Sequence, residues 1–291
     1  MAFEIPDHFV SSYTANVEML LSRQGGKLQN AVKVANYSGE SAQVVKQFGS
    51  VAMVQKTTRA EDNVISELEH KQRWIFPTDY KLHLYVDKED EMRQLGSPLS
   101  PYVEAGRAAV ARRIDDTIID AMFGTAKTGV RGGTSTTFTA GNVVAVNFAT
   151  TTSLTVEKLR EARRLLLANH NDLSAETPHI AVTAKQLDNL LGITAITSAD
   201  YNSVKALVNG EINTFMGFKF IHTESLGVDS NSYRRIPVWL PSAMQLGFWN
   251  NMQAMIDVLP AKSHVTQVSM YLTLGATRTQ ENKIVEIKCA E

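Results

Sequence analysis

Residues 97–124, SPLSPYVEAGRAAVARRIDDTIIDAMFG, read as one long helix with two unlike faces. Ser97 fits an N-cap, Pro98 and Pro101 are tolerated only in a first turn, and Gly124 offers a left-handed stop. Val103, Val110, Ile114, Ile118 and Met122 recur at helical steps and share a face that must be buried. Glu104, Arg107, Arg112, Asp116 and Asp120 fall on the opposite, solvated face. About 25 residues rising about 1.5 Å each make a rod of nearly 40 Å, so another long element has to lie against it.

Working outward toward the C-terminus, HVTQVSMYLTLGATR (264–278) alternates Val268, Met270, Leu272, Leu274 and Ala276 with smaller or polar neighbours. KIVEIKC (283–289) does the same with Val285, Ile287 and Cys289. Period two predicts two closing strands, and they are expected to cover the apolar face of the helix, with Ile114 and Ile118 near Leu272 and Leu274. Between helix and closing strands come a Gly- and Thr-rich excursion (125–142), a second helix over 155–170 capped by Thr155, and then short mixed elements. These include a strand HIAVTA, a helix AKQLDNLLG, a helical turn at 202–208, a strand after Gly217, two apolar strands broken by Pro241, and an edge-like strand in MQAMIDVLP.

Toward the N-terminus, residues 1–29 hold an amphipathic helix with Val10, Tyr13, Val17, Leu20 and Leu21 on one side, ended by Gly25 and Gly26. Alone it is marginal, so it must dock, and its isolation behind two glycines predicts docking on a neighbouring copy. From Ala31 the period changes to two. The stretch from about 49 to 80 reads as an extended β-hairpin whose charged tip, TTRAEDNVISELEHK (57–71), offers no core of its own.

Composition narrows the function. The 291 residues are 44% hydrophobic, enough for a real core. With 29 basic and 30 acidic residues the net charge is −1, which argues against tight non-specific binding of nucleic acid. The single Cys289 excludes an intramolecular disulfide and a zinc ribbon and suggests a reducing compartment. The N-terminal residues carry no basic region followed by an apolar core, and no apolar run approaches 18 residues, so neither secretion by that route nor a membrane partner is expected.

No catalytic, cofactor-binding or metal constellation emerges. The histidines at 8, 70, 83, 170, 179, 222 and 264 lack the i, i+4 spacing of a zinc hydrolase, and there is no Gly-x-Ser-x-Gly elbow. Gly129, Gly132 and Gly133 lack the Gly-Lys-Ser/Thr ending of a phosphate loop. His222 and Glu224 share one face of a strand, where a structural or solvated pair is the expected reading; Trp239, Phe248 and Trp249 are expected in the core.

The order of parts resembles the major capsid protein of tailed bacteriophages, the Hong Kong 97-like α+β fold. Its carriers are LVNGEINTFMGFKFIHTESL (207–226), similar to that family's glycine turn into a subdomain strand, and GATRTQENKIVEIKCAE (275–291), similar to its closing strands. The resemblance implies an N-terminal arm (1–40) and strands with an extended hairpin (41–96, the loop at about 49–80). It implies a peripheral domain with spine and second helix (97–170), an axial domain (171–262) and closing strands of the peripheral domain (263–291). It further implies a non-enzymatic, self-assembling subunit of an icosahedral head in the virion, assembled in the bacterial host cytoplasm. Partners would be many copies of itself in hexamers and pentamers, with portal, scaffolding or decoration proteins and packaged double-stranded DNA facing the inner surface. Some shells of this fold are stapled by a Lys–Asn isopeptide bond; Lys56 or Lys71 and Asn282 stand where such partners would be sought, though no spacing selects them. The alternatives are an encapsulin-type compartment shell and, more distantly, a soluble enzyme with its site in 171–262.

Overall fold

The computed structural model describes residues 26–49, 51, 53, 55, 58, 59, 65, 68, 70–87, 99–192 and 214–291. The expected N-terminal helix, most of the hairpin tip, the start of the long helix with Ser97 and Pro98, the turn at 202–208 and Lys56 lie outside these residues.

The long helix α1 spans Leu99–Phe123. Beneath it is a sheet of four strands, β1 (Lys33–Asn36), β4 (Thr78–Val86), β12 (Met244–Leu259) and β13 (Val265–Arg278), in the order β1-β12-β13-β4. Ile114, Ile118 and Met122 share one buried cluster with Leu272, Leu274 and Leu246, as the stripe on α1 and the alternation of β13 require. Ile118 is fully buried there. Ile118→Ala is expected to cost about 2–5 kcal/mol through the cavity it leaves. Arg107→Ala, on the exposed face, should stay within about 0.5 kcal/mol. Urea unfolding of the two variants checks the assignment, and equal losses would show the wrong face to be buried.

A second sheet of six strands has the order β7-β14-β11-β8-β10-β9. It comprises β7 (Val143–Val144), β8 (His179–Val182), β9 (Thr214–Phe215), β10 (Phe218–His222), β11 (Arg234–Trp239) and β14 (Ile284–Cys289). Helix α2 (Val156–Ala168) packs on it through Leu159 and Leu166 against Ile180, Val238, Val285 and Ile287, while α3 (Ala184–Leu191) adds Leu190. A third sheet, β2-β3-β5-β6, is built from β2 (Ala42–Phe48), β3 (His70–Ile75), β5 (Ala126–Thr128) and β6 (Thr134–Thr136).

Strand pairing cuts across the boundaries expected from sequence. β12, assigned to the 171–262 unit, is the antiparallel partner of β13 under α1. The second helix, α2, and the last strand, β14, both assigned to the α1 unit, belong to the six-stranded sheet; of β14 only Ile284 reaches the α1 cluster. Residues 26–36, expected in a detached arm, are integral to the core. β1 runs parallel to β12, Leu28 and Ala31 are buried, and the Trp239 indole donates to the Ala31 carbonyl at 2.8 Å. The extended hairpin is also re-drawn, because its legs are β2 and β3, antiparallel from Ala42/Ile75 to Phe48/His70. β4 is no part of it and pairs with β13.

Two polar devices hold the ends of these elements. Asp115, buried in the middle of α1, accepts three successive backbone amides: Gly26 and Lys27 at Oδ2 (2.8 and 3.2 Å) and Leu28 at Oδ1 (3.1 Å). At the other end, Gly124 is not left-handed; its amide closes on Asp120 O at 2.8 Å, and a Cβ there would meet that same oxygen at 2.6 Å. The helix is ended instead by Arg278. Its buried Nη1 donates to the carbonyls of Ala121 and Met122 (both 3.2 Å) and of Gly124, a cation on the negative pole of the helix.

β12 carries two irregularities of register against β13, between Phe248 and Asn250 and between Asn250 and Gln253. Each sets an extra residue of β12 against β13, the signature of a β-bulge.

Candidate assembly surface

The hairpin leaves the body at a crossing built around two glycines. Gly247 and Gly275 face each other across the β12–β13 ladder. With no side chain on either, Ile75 and Phe76, where the chain bends from β3 into β4, lie directly against the ladder. A Cβ on Gly275 would meet the Phe76 carbonyl oxygen at 2.3 Å, and one on Gly247 would meet the Tyr37 ring at 2.6 Å.

The base of the hairpin is also fixed electrostatically. Arg73 on β3 and Arg278 at the end of β13 are both buried and share Glu281. Arg73 Nη2 lies 2.8 Å from Oε2, and Arg278 Nη2 lies 3.8 Å from Oε1. Burial pushes the Arg278 guanidinium down from its ordinary value, with the Glu281 carboxylate opposing the shift. Gln47 on β2 donates to the Thr279 carbonyl, and the Trp74 indole donates to Gly129 O at 2.7 Å. One carboxylate thus ties the root of the hairpin to the C-terminal end of α1.

Beyond this root the described loop residues have little to pack on. Val51 is half exposed, Leu68 is exposed, Met53 is fully exposed and Ile65 nearly so. A second apolar surface lies on the distal half of β12, with Met252, Met255, Ile256 and Val258 exposed, and Tyr85 and Tyr271 exposed on β4 and β13. Single exposed apolar residues are ordinary; apolar residues gathered on projecting elements mark a contact surface.

The chemistry looked for in the sequence is placed as follows. His222 Nε2 stands 2.8 Å from Glu224 Oε1, both side chains nearly half exposed, and the same oxygen accepts the Ala184 amide at 2.7 Å where α3 begins. The pair therefore serves the start of a helix. Trp239 is fully buried and Phe248 nearly so, while Trp249 is only partly buried and donates to Gly39 O at 2.7 Å. Lys71 lies on β3; Asn282 sits in the turn before β14, its carbonyl accepting the side chains of Asn171 (2.8 Å) and Asn169 (3.3 Å). Among the described residues no group of three or more His, Cys, Asp or Glu side chains is placed to hold a metal ion. No helix of the described residues is long and apolar enough to cross a membrane.

Sequence reading missed Asp115, Arg278 and Glu281. It also missed a buried pair in the six-stranded body, Lys158 and Cys289. The Lys158 ammonium donates to the carbonyls of Val146 (2.8 Å), Thr152 and Lys288 (both 3.2 Å) and lies 3.8 Å from Cys289 Sγ. Burial lowers the lysine and raises the thiol to about 11, so the cysteine remains a neutral, inert thiol.

Comparison with known proteins agrees with the order of parts. A family model described as phage capsid protein matches residues 5–291. No curated protein matches by sequence. Among solved structures, the capsid of the cyanophage P-SCSP1u is similar with a TM-score of 0.72 at 13% identity, covering 96% of this chain and 93% of that one. Mycobacterium phage Che8 gives 0.70 at 17% identity, with 98% of both chains covered. The holo-SrpI encapsulin complex of Synechococcus elongatus PCC 7942 gives 0.63 at 8% identity, with 99% and 96% covered. The mixed α+β, Hong Kong 97-like architecture expected from sequence is the one this chain adopts.

Proposed function

Because this chain belongs to the phage capsid protein family, we propose that its copies, arranged as hexamers and pentamers, close into the icosahedral head that encloses the double-stranded DNA of a tailed phage. It is a major capsid protein, a structural subunit of the virion shell rather than an enzyme. The observation that carries the assembly mechanism is the apolar surface on elements reaching away from the core, Met53 and Ile65 on the loop and Met255, Ile256 and Val258 on distal β12. Buried between copies, such contacts are individually weak and become strong when repeated around a closed lattice. The near-neutral chain suits a wall that faces DNA without retaining it by counterion release. Portal, scaffolding or decoration proteins would join the shell during assembly in the bacterial cytoplasm.

The test removes the loop. Replacing residues 51–68 with a short Gly-Ser linker should leave the circular dichroism of the chain nearly unchanged, since the core clusters lie elsewhere, while regular particles disappear from negative-stain micrographs. Wild-type-like particles from the shortened chain would refute the lattice role. The similarity to an encapsulin favours a second reading, a compartment shell around a cargo enzyme. The contents of purified particles separate the two, DNA for a phage head and protein for a compartment.

A further inference from the structure

The root of the hairpin gathers more positive charge than the described residues around it balance. Three arginines meet there. Arg235 is answered in full, since its Nε and Nη2 reach Glu286 Oε1 and Oε2 at 2.6 and 3.2 Å and its guanidinium lies 4.3 Å from the centre of the Phe123 ring. Arg73 and Arg278 have one carboxylate between them, Glu281, although both side chains are buried. Arg278 meets Arg73 and Arg235 as like charges and, among the described residues, Glu281 as its one acid. Three cations against two carboxylates leave a single positive charge in a site closed to solvent, where an unbalanced ion is strongly disfavoured.

The hydrogen bonds point the same way. A guanidinium offers five N–H donors and no acceptor. Arg278 directs Nη1 to the carbonyls of Ala121, Met122 and Gly124, and Nη2 to Thr136 O. Its Nε finds no acceptor, and neither do Nε and Nη1 of Arg73, although all three nitrogens are buried. Glu281 Oε1, the carboxylate oxygen still able to accept, stands 3.8 Å from Arg278 Nη2 and bonds none of the three. Buried donors without partners are rare in folded proteins, and an ion is one of the recognised reasons for them.

A ligand that meets both deficits accepts N–H bonds, carries one negative charge and is small enough for a closed site. Water accepts such bonds and leaves the charge as it is. An anion of several atoms needs more room than two buried side chains leave. A halide ion accepts from any direction, brings no donor of its own against the guanidinium groups, and neutralises the site one for one.

We propose that Arg73 and Arg278 bind a small monovalent anion of the chloride type, which accepts from the unpaired N–H groups of both. The ion joins β3 to the end of β13, at the point where the hairpin departs from the body.

The test melts the unassembled full-length chain in sodium chloride and in sodium gluconate at the same ionic strength; gluconate screens charge equally and is too large for the site. The melting temperature should be at least about 3 °C higher in about 0.1 M chloride than in gluconate, and bromide should replace chloride. Arg73→Gln leaves Arg278 alone with Glu281 and should abolish the difference. Glu281→Gln removes the carboxylate and should enlarge it. Equal melting temperatures of the wild-type chain in the two salts would overturn the proposal. A chloride effect that survives undiminished in Arg73→Gln would place the ion elsewhere and overturn it too. Should Arg73→Gln fail to fold, Glu281→Gln decides, because a chloride response no larger than that of the wild type would also overturn the site. Shell formation enters none of these measurements.

Discussion

Glu281→Ala is expected to destabilise the unassembled chain by about 3–5 kcal/mol, the range for breaking a buried ion pair from one side. The carboxylate lies 2.8 Å from Arg73 and 3.8 Å from Arg278, whose side chains are 5% and 0% exposed. Without it two guanidinium groups remain in a dry site, repelling each other with no counter-charge from Glu281. Arg278 cannot simply turn to water, because it also holds the last carbonyls of α1 and donates to Thr136 O at 3.3 Å. The loss should therefore appear at both ends of the network, in the hairpin root and in the last turn of α1. Glu281→Gln, which keeps the shape and an acceptor but not the charge, should fall between wild type and Ala. Urea unfolding followed by circular dichroism measures the series, and a loss for Ala below about 1 kcal/mol would mean that the arginines are compensated in some other way.

Gly275→Ala should be the next most damaging change. Its Cβ would stand 2.3 Å from the Phe76 carbonyl oxygen and 3.1 Å from the Ile75 side chain. The nearest atom is backbone, in the bend that joins β3 to β4, so relief requires moving the hairpin root off the ladder. Overpacking of this kind costs about 3 kcal/mol, which corresponds to about 6–12 °C in melting temperature for a chain of this size. Gly247→Ala, directly opposite, meets the edge of the Tyr37 ring, which can swing away. It should cost less than its partner. A melting temperature for Gly275→Ala within about 2 °C of wild type would show that the crossing is looser than the contact distances imply.

What was legible in the sequence is what local periodicity encodes. The α1 stripe and the alternation of β13 come from residues close in the chain, and both elements and their mutual packing follow from them. The order of elements was readable for the same reason, and with it the fold family. Sheet membership was not, because it is decided by distant pairing: nothing local to α2 or β14 says that they pack together away from α1. β12 was read as two pieces, the apolar strand after Pro241 and the edge-like strand MQAMIDVLP (252–260), because the alternation lapses between them. Pro241 only precedes the strand, Gly247 makes room for the hairpin root, and the two bulges disturb the alternation that would have revealed 16 continuous residues.

The polar devices were hidden by a sound rule applied to the wrong residues. Charged side chains on a helix or at a strand end are usually solvated, so Asp115, Arg278 and Glu281 raised no signal. Each is buried because it satisfies backbone or charge from far away in sequence, 87 residues for Asp115 with Leu28 and 157 for Arg278 with Ala121. One clue was available. Asp115 stands on the buried side of α1, three and four positions before Ile118 and Ile119 and seven before Met122, where an acid has no reason to be unless it binds something.

The two bulges in β12 have an arithmetic consequence. Each adds one residue and so, taken alone, would exchange the two faces of every position that follows, since side chains alternate with period two. Together they cancel. Leu246 and Phe248 before them and Ala254, Ile256 and Val258 after them all point to the α1 side, opposite the even-numbered residues of β13. Loss of either extra residue, Asn251 for example, would turn Met255 and Asp257 toward α1 and Ile256 away from it, whereas loss of both would shorten the strand and leave its faces as they are. In this part of the chain length variation has parity: odd changes invert the surface the strand presents, and even changes preserve it.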